Sequence, residues 1–220
     1  MKKHLTGWLA AIAFTLFSLA SPAQAQLVAG RDYVLIDPPV PVDDPAKIEV
    51  IEFFSYGCPH CSDLSPLISK WSAKLASDVA FKRSPVSFNR PQWFNLSKLY
   101  FALEVSGNLA KLDAAVFHAL HEEGLNLSTD KNIAEWVAGK GVDAKKFSDA
   151  YSSFGVASRT KRADQLMALA KIEGVPSLLV DGRYLVSTQG THEAMLALTD
   201  KIIDKVRSER SPTKPGEKKK

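Results

Sequence analysis

The sequence predicts an α/β fold in which a small sheet with covering helices is interrupted by an inserted all-helical domain. Three observations carry this. Residues 48–54 form a short run rich in β-branched and aromatic residues, which passes through a small-residue turn into an apolar stripe at helical spacing. From residue 93 to about residue 170 every periodic segment has the helical period. Beyond residue 176 strand composition returns on both sides of an Asp181-Gly182 turn signal.

Taken in order, the chain opens with Lys2, Lys3 and His4, an apolar stretch over residues 8–20, and Ala23-Gln24-Ala25, a cleavage signature. Residues 1–25 therefore read as a secretory signal peptide, with Gln26 the first mature residue. The alternative is a retained anchor, for which the apolar stretch is short. Residues 32–37 are a first strand, and four prolines within residues 38–45 make a stiff connector that cannot be helix interior. The strand over 48–54 follows, then a helix with Leu64, Leu67, Ile68, Trp71 and Leu75 on one stripe.

Residues 79–83 and 86–88 carry strand composition around Pro85, and are expected to run parallel to the central strand through a right-handed βαβ unit. In the helical block, Phe94, Leu96, Leu99, Tyr100 and Leu103 form one amphipathic run and residues 109–120 another. Asp130 is expected to cap residues 133–138, closed by Gly139 and Gly141; Asp143 caps a helix through Tyr151, and 158–172 is a longer helix. Residues 177–180 and 183–186 form a hairpin, and Thr191 caps a last helix bearing Met195, Leu198, Ile202 and Val206. The expected division is 26–90 and 171–206 for the sheet-bearing domain, 91–170 for the insertion, and 207–220 for a basic disordered tail. A membrane-surface contact is the alternative reading of that tail.

At 45% hydrophobic residues the chain can bury a proper core. Its formal charge of +4 misleads about partners. Two lysines at the start and a net +5 over residues 205–220 leave residues 26–204 near −3, so there is no basic face to argue for nucleic acid.

The chemistry concentrates at Cys58-Pro59-His60-Cys61, where the strand hands over to the helix. The first N–H groups of a helix lack partners within it and carry the positive end of its dipole, so a thiolate there is stabilised. Pro59 suits the first helical position and stiffens the turn. Cys58, expected at the exposed lip, should have a lowered pKa and attack; Cys61, one turn further in, should be buried and resolve. Favouring the reduced, charged form makes the disulfide a stronger oxidant. His60 can add a hydrogen bond or a charge. Glu52 shares a strand face with Val50 and Phe54, so on a central strand it is a buried carboxyl beside Cys61, with a raised pKa, able to take or deliver the Cys61 proton. On an edge strand it would simply point outward. Lys82 and Arg83 are candidates to lie near it.

Export implies an oxidising compartment, but a bond across two intervening residues closes too small a loop to staple the fold. The two cysteines are therefore read as a redox pair. A zinc site needs three or four ligands and there is no second cysteine pair; His118 and His121, at i and i+3, could form part of a metal site but more simply belong to a helix surface. Haem attachment requires histidine after the second cysteine, where Ser62 stands. No metal or dissociable cofactor is expected.

The stretch Glu52-Phe53-Phe54-Ser55-Tyr56-Gly57-Cys58-Pro59-His60-Cys61, followed by an amphipathic helix, resembles the DsbA family of periplasmic thiol:disulfide oxidoreductases, and Gly174-Val175-Pro176-Ser177 resembles that family's valine and cis-proline beside the active site. The resemblance implies a thioredoxin-like fold split by a helical domain, and a periplasmic location. A strongly acidified cysteine and an oxidising disulfide are known properties of that family, and are carried over as such. It further implies reduced, newly translocated proteins as substrates and a membrane quinone-linked reoxidising partner of the DsbB type. A trans bond at Pro176 that merely punctuates a loop is the plainer alternative. A cis-proline there would offer backbone groups to an extended peptide, with Tyr56 and Phe88 as apolar contacts.

The function expected is an exported dithiol oxidase that donates the Cys58–Cys61 disulfide through a mixed disulfide at Cys58. The alternatives are an isomerase or reductase on the same fold, and a chaperone module that holds peptides without exchange. No separate dimerisation segment precedes the catalytic domain, and a monomer is expected.

Overall fold

A computed structural model describes residues 26–187 and 190–211. The expected signal peptide (1–25) and residues 212–220 of the expected tail lie outside these. The α/β architecture is present. Strands β1 (Tyr33–Leu35), β2 (Ile48–Phe54), β3 (Val79–Pro85), β4 (Ser177–Val180) and β5 (Tyr184–Val186) form one sheet in the order β1-β5-β4-β2-β3. Strand β2 pairs parallel with β3, placing Glu52 opposite Arg83, and antiparallel with β4, placing Phe53 opposite Ser177. All seven β2 residues are buried, as a strand covered on both faces must be.

Helix α1 (Pro59–Ser72) connects β2 to β3. Five helices are inserted between β3 and β4: α2 (Pro91–Val105), α3 (Leu109–His121), α4 (Asp130–Ala138), α5 (Ala144–Tyr151) and α6 (Phe154–Leu169). Helix α7 (His192–Arg210) closes the domain. One sheet face packs Val50, Leu178 and Val180 on α1 and α7 through Leu64, Ile68, Ile202 and Val206. Ile51, Phe53 and Leu179 face Val86, Ala170 and Ile172 on the other. A third cluster joins Phe54, Tyr56, Cys58 and Cys61 to Leu99, Leu103, Val116 and Phe117, so the cysteines sit where the sheet meets the helical block.

Several local expectations need correction. Strand β3 ends at Pro85 because Phe88 and Asn89 take left-handed backbone (φ 47° and 58°), which turns the chain away after one further bond from Val86 to Phe54. The cap of α4 is Thr129, whose hydroxyl accepts from the Asn132 amide, leaving Asp130 in the first turn to accept from Tyr151. Helix α6 begins four residues earlier than expected, at a Ser153 cap. The hairpin turn has φ 57° at Asp181 and 63° at Gly182, the pattern that favours Asp-Gly. A Cβ on Gly182 would also fall 1.9 Å from the Val40 carbonyl oxygen.

Residues 207–210 are not tail. Arg207 holds Asp78 at 2.6 and 3.0 Å, and Arg210 donates to the carbonyls of Pro45 and Lys47 and pairs with Asp181. These bonds carry α7 to Arg210 across the sheet's end.

Candidate active site

Strand β2 delivers its last residue, Phe54, to the turn Ser55-Tyr56-Gly57, which the Ser55 hydroxyl and carbonyl close by accepting from the amides of Gly57 and Cys58. Cys58 is the N-cap of α1, in extended backbone, and Pro59 fills the first helical position. A cap is ordinarily a side-chain oxygen. Here no side-chain oxygen caps the helix and its first turn contains no acid, so the sulfur is the group that meets the helix's positive end. A hydrogen bond from Cys61 and the amides of Cys61 and His60 pull the Cys58 thiol down from 9.0 to about 6, against the opposing effect of burial. Burial, the Cys58 sulfur and the nearby Glu52 charge push Cys61 far the other way.

Cys58, expected at an exposed lip, is instead buried, only 6% exposed. Its cover is the loop before β4: Sγ lies 3.4 Å from the Val175 carbonyl oxygen, and the Val175-Pro176 peptide is cis. A second cis peptide, Asp37-Pro38, was not anticipated. Beside the pair a cleft of about 600 Å³ is lined by His60, Val175, Pro176, Arg31, Leu185 and Met195 among others. Both cysteines are free thiols. His60 turns its ring outward, 77% exposed and 3.9 Å from Asp63, so the part of it that acts closest on Cys58 is its backbone amide.

Glu52 is fully buried, and desolvation raises its pKa against the pull of Arg83. Arg83 Nε donates to Glu52 Oε2 at 2.6 Å, while Nη1 donates to Asp113 Oδ2 at 2.7 Å. Burial opposes the Arg83 charge, yet Glu52 and Asp113 together hold its pKa above the ordinary value. Lys82 is not near Glu52. Successive residues on a strand point to opposite faces, and it pairs instead with Asp43 and Glu49.

Tyr56 also departs from expectation. It is buried, with its hydroxyl donating to Asp113 at 2.5 Å and its ring packed edge-on to Phe117, so it offers no surface to a substrate. Phe88 packs edge-on against Trp93. Three residues of the helical block brace the turn that carries the cysteines: Asp113 through the Tyr56 hydroxyl, His121 through the Tyr56 carbonyl at 2.7 Å, and Trp93 against Gly57, where a Cβ would stand 2.6 Å from Nε1. The sequence set His121 with His118 on a helix surface, with a metal site as the lesser alternative, and neither reading placed it against the turn; it gave no sign of Asp113 or Trp93. Their partners lie tens of residues away and leave no local pattern. His118 pairs with Glu122 and Glu123, apart from His121's contact. Among the described residues no group of three metal-ligating side chains comes together.

A low-pKa sulfur on the N-cap residue of a helix, a buried high-pKa partner one turn on and a cis-proline loop against the first define a thioredoxin-fold dithiol enzyme, a thiol:disulfide oxidoreductase. Residues 49–198 match the model of the DSBA-like thioredoxin domain, and the chain belongs to this family. It is 39% identical to the thiol:disulfide interchange protein DsbA of Pseudomonas aeruginosa over 88% of this chain and 92% of that one. To the protein of the same name from Azotobacter vinelandii it is 38% identical, over 94% and 99%. The crystal structure of Pseudomonas aeruginosa DsbA superposes with a TM-score of 0.80 at 39% identity, covering 83% of this chain and 96% of that one. The oxidoreductase NmDsbA1 from Neisseria meningitidis gives 0.77 at 28% identity, covering 84% and 97%.

Proposed function

We propose that this chain is an exported, periplasmic dithiol oxidase that passes its Cys58–Cys61 disulfide to reduced, newly translocated proteins. The observation that carries the reading is the asymmetry of the pair: Cys58 is held near a pKa of about 6 at the helix start, while Cys61 is pushed up by burial. A client thiolate attacks Cys58 of the disulfide; the S–S bond to Cys61 breaks, and Cys61 leaves as a thiolate. Glu52, buried with a raised pKa, supplies the proton that neutralises it. A second client thiolate attacks the client sulfur of the mixed disulfide, releasing an oxidised client and a Cys58 thiolate. The two electrons taken from the client remain on the enzyme as the dithiol.

Val175 and Pro176 supply the backbone against which an extended client lies, since their loop covers Cys58 and lines the cleft beside it. Reoxidation falls to a membrane quinone-linked partner of the DsbB type, by the family resemblance, and the enzyme works as a monomer. Cys58→Ser abolishes oxidation of a reduced, unfolded substrate, whereas in Cys61→Ala the Cys58 thiolate attacks a disulfide-bonded client, expels the client's other sulfur as a thiolate and, with no resolving sulfur, accumulates mixed disulfides that a reductant releases. Retained oxidation in the first variant, or no trapped client in the second, contradicts the mechanism.

A further inference from the structure

We infer that Asp113, on the inserted helix α3, is a positioning residue for the acid of the redox site: by sharing Arg83 it keeps the guanidinium from closing a two-pronged pair with Glu52, and so leaves Glu52 able to carry a proton. The inference rests on the role proposed for Glu52 and extends it to the helical domain.

The geometry is that of an incomplete fork. A guanidinium and a carboxylate pair most strongly through two parallel N–H···O bonds. Glu52 faces the Nε edge of Arg83, yet makes one bond only, Oε2 to Nε. The two atoms that would complete the pair, Glu52 Oε1 and Arg83 Nη2, are both buried and neither has a hydrogen-bond partner. The remaining prong, Nη1, is taken by Asp113 from the opposite side. The guanidinium lies over the Phe54 ring, with Cζ 3.9 Å from its centroid. Asp113 is itself fixed in place, because its second oxygen accepts from the Tyr56 hydroxyl.

Charge then decides where a proton resides. Two carboxyl groups share one guanidinium, so the full ionised set bears a net negative charge in a desolvated site. Asp113 keeps 20% of its side chain in solvent and Glu52 none. The proton that relieves the excess belongs on the more desolvated acid. The other titratable groups that meet the Glu52 charge are Cys61 from α1 and Tyr100 from α2, while Tyr56 from the turn faces Asp113 and Arg83. His121 holds the Tyr56 carbonyl, and on β4 the residue opposite is apolar Leu178. Neither Cys61 nor Tyr100 supplies a second cation.

Replacing Asp113 by Asn removes one negative charge and frees Arg83 to close the fork. The readout is the titration of the Glu52 carboxyl carbon by NMR in the reduced protein. In Asp113→Asn its midpoint falls by about one pH unit, a tenfold change in ionisation; Asp113→Glu, which restores the charge, returns it towards the original value. Tyr56→Phe, which keeps the ring but unties Asp113, shifts it the same way by less. An unmoved or raised Glu52 midpoint in the Asn and Phe variants, with the fold intact by circular dichroism, overturns the inference. The thiol-exchange pH profile is read in parallel. If the midpoint shifts while that profile does not, Asp113 positions Glu52 as inferred and it is the proton role of Glu52 that fails.

Discussion

Cys58 Sγ lies 3.4 Å from the Val175 carbonyl oxygen, on the N-cap residue of α1, where the amides of Cys61 and His60 favour its charged form. As a thiol it donates to the carbonyl. As a thiolate it has nothing to donate, and a carbonyl lone pair repels it, so the helix amides hold it instead. Ionisation therefore weakens the sulfur's tie to the loop proposed to receive a client.

The first prediction concerns pH. A thiol whose folded pKa is depressed contributes stability above its unfolded value, and that contribution disappears as pH falls through the folded value. For Cys58 the window runs from 9.0 down to about 6. The disulfide form has no thiol to titrate. The reduced protein should thus gain stability relative to the oxidised one on raising pH from below 6, as measured by paired denaturation curves, with thiolate ultraviolet absorbance midpoint near 6.

Glu52 has the opposite sign. Its pKa is raised by desolvation, so its contribution to stability is full in acid and is lost as pH rises through the folded value. Glu52→Gln should flatten that alkaline loss. It should also slow the step in which Cys61 takes or gives up a proton, on the order of a hundredfold, the lower end for a positioned acid or base. Stopped-flow oxidation of a reduced peptide reads this rate. An unchanged rate at neutral pH would remove Glu52 from the mechanism.

What was legible in the sequence was what is local. The run over residues 48–54, the turn to Cys58 and the Pro59 helix start are written in consecutive residues, and so is the Asp181-Gly182 hairpin. The misreadings share one cause, long-range contact. Tyr56 reads as a surface aromatic until Asp113, 57 residues on, takes its hydroxyl. Cys58 reads as exposed until Val175, 117 residues on, covers it. Residues 207–210 read as the start of a charged tail, because nothing in their composition reveals that Arg207 will meet Asp78 or Arg210 the carbonyls before β2.

Gly57 tests the brace between the helical block and the cysteine turn. Alanine there sets a Cβ 2.6 Å from Trp93 Nε1, so the indole must move or the turn must. The expected cost is about 1–3 kcal/mol, typical of overpacking. Denaturant titration should show a lower midpoint with an unchanged slope. Trp93→Ala in the Gly57→Ala background should restore part of the loss relative to the sum of the two single changes, because the clash no longer exists; strict additivity would show that the two residues do not meet in solution.

Arg210 tests whether the last turn of α7 belongs to the folded domain. Its guanidinium bonds two carbonyls ahead of β2, at 3.0 Å each, and pairs with Asp181 in the hairpin turn. Asp181 is mostly covered, so Arg210→Ala leaves a carboxylate with its cation gone and two carbonyls without their donor. Hydrogen bonds to a charged group contribute about 1.5–3 kcal/mol each before solvent replaces any of them. With solvent reaching this rim, a net loss of about 1–2 kcal/mol is expected. The redox pair lies at the other end of β2, so the rate at which Cys58 reacts with a small disulfide should not change. A variant as stable as the parent would return residues 207–210 to the tail that their composition suggests.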